Sequence, residues 1–380
     1  MIRSLLTQMP FFVFLFWGIF YLTKNDKQKS KHLLGFCMLI GAAMHLSLIV
    51  YFNQENPALY LNFDWLFLLS SLSIVPFYFL YIQSIAYRKL KAKDLVHFAP
   101  AIIFIILYFI FFFSTDQEER VSYLKNFLLS REKNPINLSD QSRRLAFLFI
   151  INRIIFLSQI IIYNFVALSI FRNFKKRLQC YYSETKGREL TWIATLTVSL
   201  TIISLVSTIF NVIGRSLFQN SNIILSIPSI VFSSFFFILG LTCNRQPFTI
   251  EDLEEEERKT SKIGKRTISD TPSKMKQKLE LLMDEKHIYL TKDLRLSSVC
   301  KELNTNRTYL SQVLNDELNE NFNSYVNKYR VNHAILLLRD KEWQNYSLDK
   351  FAELSGFGST ISMIRAFKQT TGKTPSEFRD

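Results

Sequence analysis

Seven long apolar stretches dominate the chain, at Leu5–Tyr21, Leu33–Phe52, Leu61–Ile82, Leu95–Phe113, Leu145–Phe171, Leu190–Ile213 and Ile223–Cys243. Most reach the length of about 20 residues that a helix needs to cross a hydrocarbon core. Buried helices of a soluble protein rarely come seven in a row at this length and aromatic content, and phenylalanine alone supplies 36 of the 380 residues. The first stretch lacks a strongly positive start and a small-residue cleavage site, so it reads as a helix of the mature protein rather than a secretory leader.

Lysine and arginine in the connecting loops set the orientation. Lys24, Lys27, Lys29 and Lys31 lie between the first two stretches, and Arg88, Lys89, Lys91 and Lys93 between the third and fourth. Arg172, Lys175, Lys176, Arg177, Lys186 and Arg188 lie between the fifth and sixth. The alternate loops are poorer: Asn53–Tyr60 holds no basic residue and Gly214–Asn222 only Arg215. The longer loop Ser114–Arg144 balances six basic residues with five acidic ones, and long loops orient weakly. The pattern puts the three basic loops in the cytoplasm, with the N-terminus outside and the C-terminus inside.

Ionisable residues within the stretches are costly there and tend to face a bundle interior or water. His45, Asp64 and Arg153 would all fall in the outer half of the bilayer. An Asp64–Arg153 pair, with His45, Asn152 and Gln159 nearby, would make a polar signal pocket open to the outside. The plainer alternative is an interfacial Asp64 and an Arg153 that snorkels or braces the bundle. Pro76, Pro100 and Pro228 fall within three stretches, where kinks serve as pivots or as passive bends.

The last hundred residues have a different pattern. Leu296, Val299, Cys300 and Leu303 give one short amphipathic helix, and Asn306 caps a second with Leu310, Val313 and Leu314 on its inner side. A longer helix runs from Phe322 to Arg339, about 25 Å at 1.5 Å per residue. Leu348, Phe351, Ala352 and Leu354 then repeat at helical spacing, Gly356 reverses the chain, and Ser359 caps a helix with Met363, Ala366 and Phe367 inward. Two helix-turn-helix units, set about one DNA turn apart, could each place a second helix in a major groove.

The string Ala352, Gly356-Phe357, Phe367-Lys368, Gly372, Thr374-Pro375, Phe378 and Arg379 closely resembles the C-terminal signature of the AraC family of bacterial transcription regulators. The resemblance reaches upstream to about Lys274. It implies two helix-turn-helix units bridged by one long helix, and a bacterial cytoplasmic (inner) membrane as the site of the anchored chain. It maps base-reading positions onto Thr308, Ser311 and Gln312 in the first unit and onto Thr360, Ile361 and Arg365 in the second. Arg365 could take a guanine and Gln312 an adenine, while Arg307, Lys368 and Lys373 suit phosphates. Met363 stands where the family usually has an aromatic core residue, and Ile361 and Ile364 put apolar groups where polar ones are common. The second unit would then read thymine methyls or contribute mainly grip.

The net charge of +14 invites a nucleic-acid reading by itself, but residues 1–243 carry +12 of it and residues 274–380 only +3. Most of the excess is therefore orientation signal. Glu251–Lys259 opens a charged stretch to Ser273 that reads as a solvated linker or as an extension of the last membrane helix. Lys278–Tyr289 reads as a helix that introduces the C-terminal domain. Cys37, Cys180, Cys243 and Cys300 are isolated, with spacing that suits neither a disulfide frame nor a zinc site. No HExxH, GxSxG or phosphate-cradling glycine loop occurs, so no enzymatic chemistry, metal or cofactor is expected.

The fold expected is all-α: a seven-span transmembrane bundle in 1–243, a charged cytoplasmic linker in 244–273, and an AraC-like DNA-binding domain in 274–380. The function expected is a membrane-bound, sequence-specific transcription regulator that couples a signal at or outside the membrane to promoter binding. Its partners would be double-stranded DNA, the lipid bilayer, a small-molecule or envelope signal, a second copy of the chain and the transcription machinery. The rival is a transporter or receptor whose C-terminal helical domain docks another protein.

Overall fold

The computed structural model describes residues 2–24, 29–52, 57–86, 90–130, 135–184, 198, 201–202, 205–206, 209, 222–244, 271–343 and 345–379. Among them the regular structure is helical, with one isolated backbone bridge between Tyr182 and Arg295. The chain divides into two compact units, Met1–Phe171 with Thr191–Gln246, and Arg172–Leu190 with Pro247–Asp380.

The first unit contains α1 (Ile2–Thr23), α2 (Lys29–Tyr51), α3 (Asp64–Ala86), α4 (Ala99–Phe113), α5 (Gln117–Tyr123), the greater part of α6 (Asp140–Tyr181) and α7 (Asn222–Asn244). Helix α2 packs between α1 and α3, α7 lies on α1, and α4 lies on α3. Six segments of the described residues are long and apolar enough to cross a membrane: Ser4–Thr23, Ser30–Tyr51, Asp64–Ala86, Ala92–Phe113, Asp140–Tyr181 and Asn222–Asn244. They match the first five expected stretches and the seventh. The sixth, 190–213, lies largely outside the described residues, as does the charged linker.

This unit is apolar within and without. Phe67, Leu68, Leu72, Tyr108, Phe127 and Phe149 form part of one buried core, while Phe113, Ile161 and Phe165 are 73, 70 and 77 % exposed.

Two expectations need correction. The stretch 114–144, read as a loop, holds α5 and a wide turn at Leu124–Leu128 that buries Tyr123, Leu124, Phe127 and Leu128 in the core. Its apolar side chains are too short a run to register as a span, yet they pack. Pro100 interrupts nothing: it sits in the first turn of α4, where a missing N–H breaks no helical bond. Pro76 and Pro228 do lie inside α3 and α7.

In the second unit, the end of α6 from Arg172 is joined by α8 (Pro272–Asp284), α9 (Leu296–Glu302), α10 (Arg307–Leu318), α11 (Phe322–Arg339), α12 (Leu348–Leu354) and α13 (Thr360–Thr371). Each of α8, α10, α11, α12 and α13 has a polar N-cap whose side chain accepts a first-turn N–H: Thr271, Asn306, Asn321, Ser347 and Ser359. Helix α11 serves two cores. Its Phe322, Tyr325 and Val326 pack with Leu296, Val299, Leu310 and Val313, and its Val331, Ala334 and Leu338 pack with Phe351, Ala352, Met363 and Phe367. Gly356, at φ +76°, closes the α12–α13 turn against Leu290, whose carbonyl oxygen an added Cβ would meet at 2.7 Å.

Candidate nucleic-acid interface

The faces of α10 and α13 that point away from the two cores carry the residues singled out by sequence. On α10, Thr308 and Gln312 are exposed and Ser311 is half-buried; on α13, Ile361 and Arg365 are exposed and Thr360 is half-buried. Lys368 and Lys373 are exposed beyond them. Both helices start at a side-chain cap, Asn306 accepting from Tyr309 N at 2.9 Å and Ser359 from Ser362 N at 3.3 Å, which fixes where each first turn points. Some residues of the expected set also have partners within the protein. The Thr360 hydroxyl donates to the Asp349 carboxylate, and the Arg307 guanidinium lies 4.1 Å over the ring of Tyr181. Ile361, 58 % exposed, offers an apolar surface of the kind that contacts a thymine methyl.

Between the two helix-turn-helix units sits a residue that sequence reasoning missed. Arg330, in the middle of α11, is fully buried. Its Nε donates to Tyr289 O at 2.7 Å, and its Nη2 donates to Thr291 O at 2.9 Å and to Ser183 Oγ at 3.2 Å. Burial pushes the Arg330 guanidinium down to about 10, opposed by the carboxylates of Glu184 and Asp293. The available signal was positional: Arg330 stands four residues after Val326 and four before Ala334, on the buried stripe of α11. Glu184 was missed as well. Its carboxylate accepts from Gly358 N at 3.1 Å and from Ser362 Oγ at 2.6 Å, against the first turn of α13. Cys300 lies in the first core, where burial pushes its thiol up to about 12.

The five residues expected to form a signal pocket are placed at different points of the first unit. His45 is buried, lines a cavity of about 230 Å³ and stacks on Phe14 at 5.3 Å between ring centres. Asp64 is fully buried beside that chamber's neighbouring core, accepting from the hydroxyls of Tyr60 and Tyr123, each at 2.9 Å. Asn152 is tied to α3, donating to Leu68 O at 3.2 Å and accepting from Ser71 Oγ at 3.1 Å. Ser71 itself lines the cavity, so Asn152 stands one hydrogen bond behind the wall. Arg153 lies 5.0 Å over the Phe149 ring, and Gln159 is buried on α6; neither lines the cavity. Tyr78, Tyr163 and Asn164 are polar residues of the wall that sequence did not single out.

A family model described as a helix-turn-helix domain matches residues 299–380. The chain is 31 % identical over 119 residues to the regulatory protein PocR of Salmonella typhimurium, which covers 31 % of this chain and 38 % of that protein. It is 28 % identical over 93 residues to the Msm operon regulatory protein of Streptococcus mutans, covering 24 % of this chain and 32 % of that one. It is 36 % identical over 75 residues to the uncharacterized transcriptional regulatory protein YesN of Bacillus subtilis, covering 20 % of each. The chain thus spans between 20 and 38 % of the length of these relatives. With the two helix pairs on α11, these matches show that the C-terminal part of the chain carries a helix-turn-helix domain similar to those of these regulators.

Proposed function

We propose that the chain is a transcription regulator held in the bacterial cytoplasmic membrane, with its helix-turn-helix domain in the cytoplasm and a signal site in its helical bundle. The observation that carries the reading is the pair of capped helices, α10 and α13, packed on the 18-residue α11 with Thr308, Gln312, Ile361 and Arg365 exposed. Thr308, Ser311 and Gln312 read bases in one groove, and Thr360, Ile361 and Arg365 in the next. Arg307, Lys368 and Lys373 take phosphates and set the register. The reader's charge of only +3 in residues 274–380 gives modest non-specific grip, which pairing of two copies would raise.

The signal site is the cavity around His45. Its wall is mostly apolar, and His45 has no hydrogen-bond partner among the described residues. Such a chamber suits an apolar small molecule with one hydrogen-bonding group. Asn152 would then act behind the wall, holding α3 and α6 in register, and Asp64, Arg153 and Gln159 would stay outside the site.

Crosslinking the full chain to its host's chromosome and sequencing the bound fragments tests the reading. Enrichment at a few promoters with a shared sequence is expected; uniform background, or recovery of a partner protein only, would reject DNA reading. Gln312→Ala should relax preference at one base position by about 1–3 kcal/mol. A uniform loss of affinity with an unchanged profile would remove Gln312 from the base-reading set. His45→Leu should abolish the response of those promoters to the stimulus while leaving basal binding intact.

A further inference from the structure

Four residues that follow the apolar part of α6 are built into the C-terminal unit. Ser183 N and Ser183 Oγ both donate to Leu294 O, at 3.0 and 2.7 Å. Asn323 Nδ2 donates to Ser183 O at 2.7 Å, and the buried Arg330 donates to Ser183 Oγ. The segment therefore has a defined seat between the two helix-turn-helix units. From that seat it reaches the beginning of both reading helices. Tyr181 covers the guanidinium of Arg307, the first residue of α10, and Glu184 places its carboxylate on Gly358 N–H and Ser362 Oγ at the start of α13. Glu184 is 8 % exposed, and the missing side chain of Gly358 admits it: an added Cβ would lie 3.2 Å from Glu184 Cγ.

The groups engaged are those that a DNA backbone uses. Gly358 N–H stands just ahead of the α13 N-cap, Ser359, where the helix dipole favours negative charge. Protein–DNA complexes take phosphates with backbone N–H groups, hydroxyls and arginine. A carboxylate already seated there both occupies the donors and repels an arriving phosphate.

We propose that Gly358 N–H and Ser362 Oγ form a DNA-phosphate site, and that Glu184, with Tyr181 on Arg307, fills it as an internal competitor. The conformation described here is then the DNA-released state, and the bundle's route to the reader is the end of α6 rather than the stretch 244–273 alone. This rests on the DNA-reading function proposed above.

The test uses the full chain in lipid nanodiscs and a mixed-sequence duplex of about 20 base pairs, two turns long. Glu184→Ala should tighten binding at least about tenfold relative to the parent chain, as expected for losing one charge-assisted competitor. Glu184→Gln should tighten it less, and Tyr181→Ala should shift it in the same direction without touching α13. Amide hydrogen exchange at Gly358 should speed up in Glu184→Ala while Val331 and Ala334 stay protected, which also shows that the variant is folded. Unchanged or weaker binding in Glu184→Ala, with Gly358 exchanging faster, would make Glu184 a brace and overturn the proposal. Unchanged exchange at Gly358 would overturn it too. If neither parent nor variants bind the duplex or any chromosomal fragment, the DNA reading fails first and the competitor falls with it.

Discussion

The two units place their apolar side chains in opposite ways on the same kind of helix. In the first, the exterior is apolar at Phe113, Ile161 and Phe165, and polar groups such as Asp64, Asn152 and Gln159 are kept inside. In the second, apolar residues fill two cores, and five helices begin at a side-chain cap. In the first unit α4 and α5 begin without such a bond, while Ser139 caps α6 by accepting from Ser142 N at 3.3 Å. The contrast teaches that burial is not the common rule. Polar groups go wherever partners are: into tyrosine hydroxyls and backbone carbonyls when the surround is hydrocarbon, and to water or caps when it is aqueous.

Four substitutions would break or sharpen that contrast. Arg330→Ala should have the largest effect, about 4 kcal/mol, because it strands the carbonyls of Tyr289 and Thr291 in the seam of α11. Thermal unfolding of the C-terminal unit measures it; a loss under about 1 kcal/mol would mean that water replaces the guanidinium. Ile161→Arg, on the outer face of α6, should cost about 3 kcal/mol of membrane insertion. A neutral outcome would reject the proposed lipid surround and with it the contrast. Asp64→Leu should cost about 2 kcal/mol in detergent unfolding, since Tyr60 and Tyr123 lose a shared acceptor, with Asp64→Asn milder. Ser359→Ala should be smallest, about 1 kcal/mol, by removing the α13 cap. If Ser359→Ala proved as costly as Arg330→Ala, the second unit would depend on its helix ends more than on its cores.

Much of the second unit was legible because its signals are local. Asn306 and Ser359 cap the helices they were expected to cap, the bridge runs from Phe322 to Arg339 as read, and Gly356 has the positive φ that the reversal required. In the first unit, apolar length located six helices, but their neighbours were beyond reach. Asp64 lies four residues from Tyr60, which sequence spacing could suggest, whereas Tyr123 comes from a stretch read as loop. The expected five-residue pocket shared a bilayer depth, and depth says nothing about which way a helix is rotated. Hence His45 lines the cavity while Asp64 and Asn152 join other networks.

Period, length and capping chemistry determined by themselves that this chain makes long apolar helices followed by two helix pairs on one bridge. Each of those properties is written within a few turns of backbone. Tertiary structure alone decided that the end of α6 belongs with the reader, that Ser183 meets Arg330, and that Glu184 meets Ser362 across 178 positions of chain. The energy of a buried carboxylate or guanidinium depends on the groups packed around it, and those come from whichever segments the fold brings together.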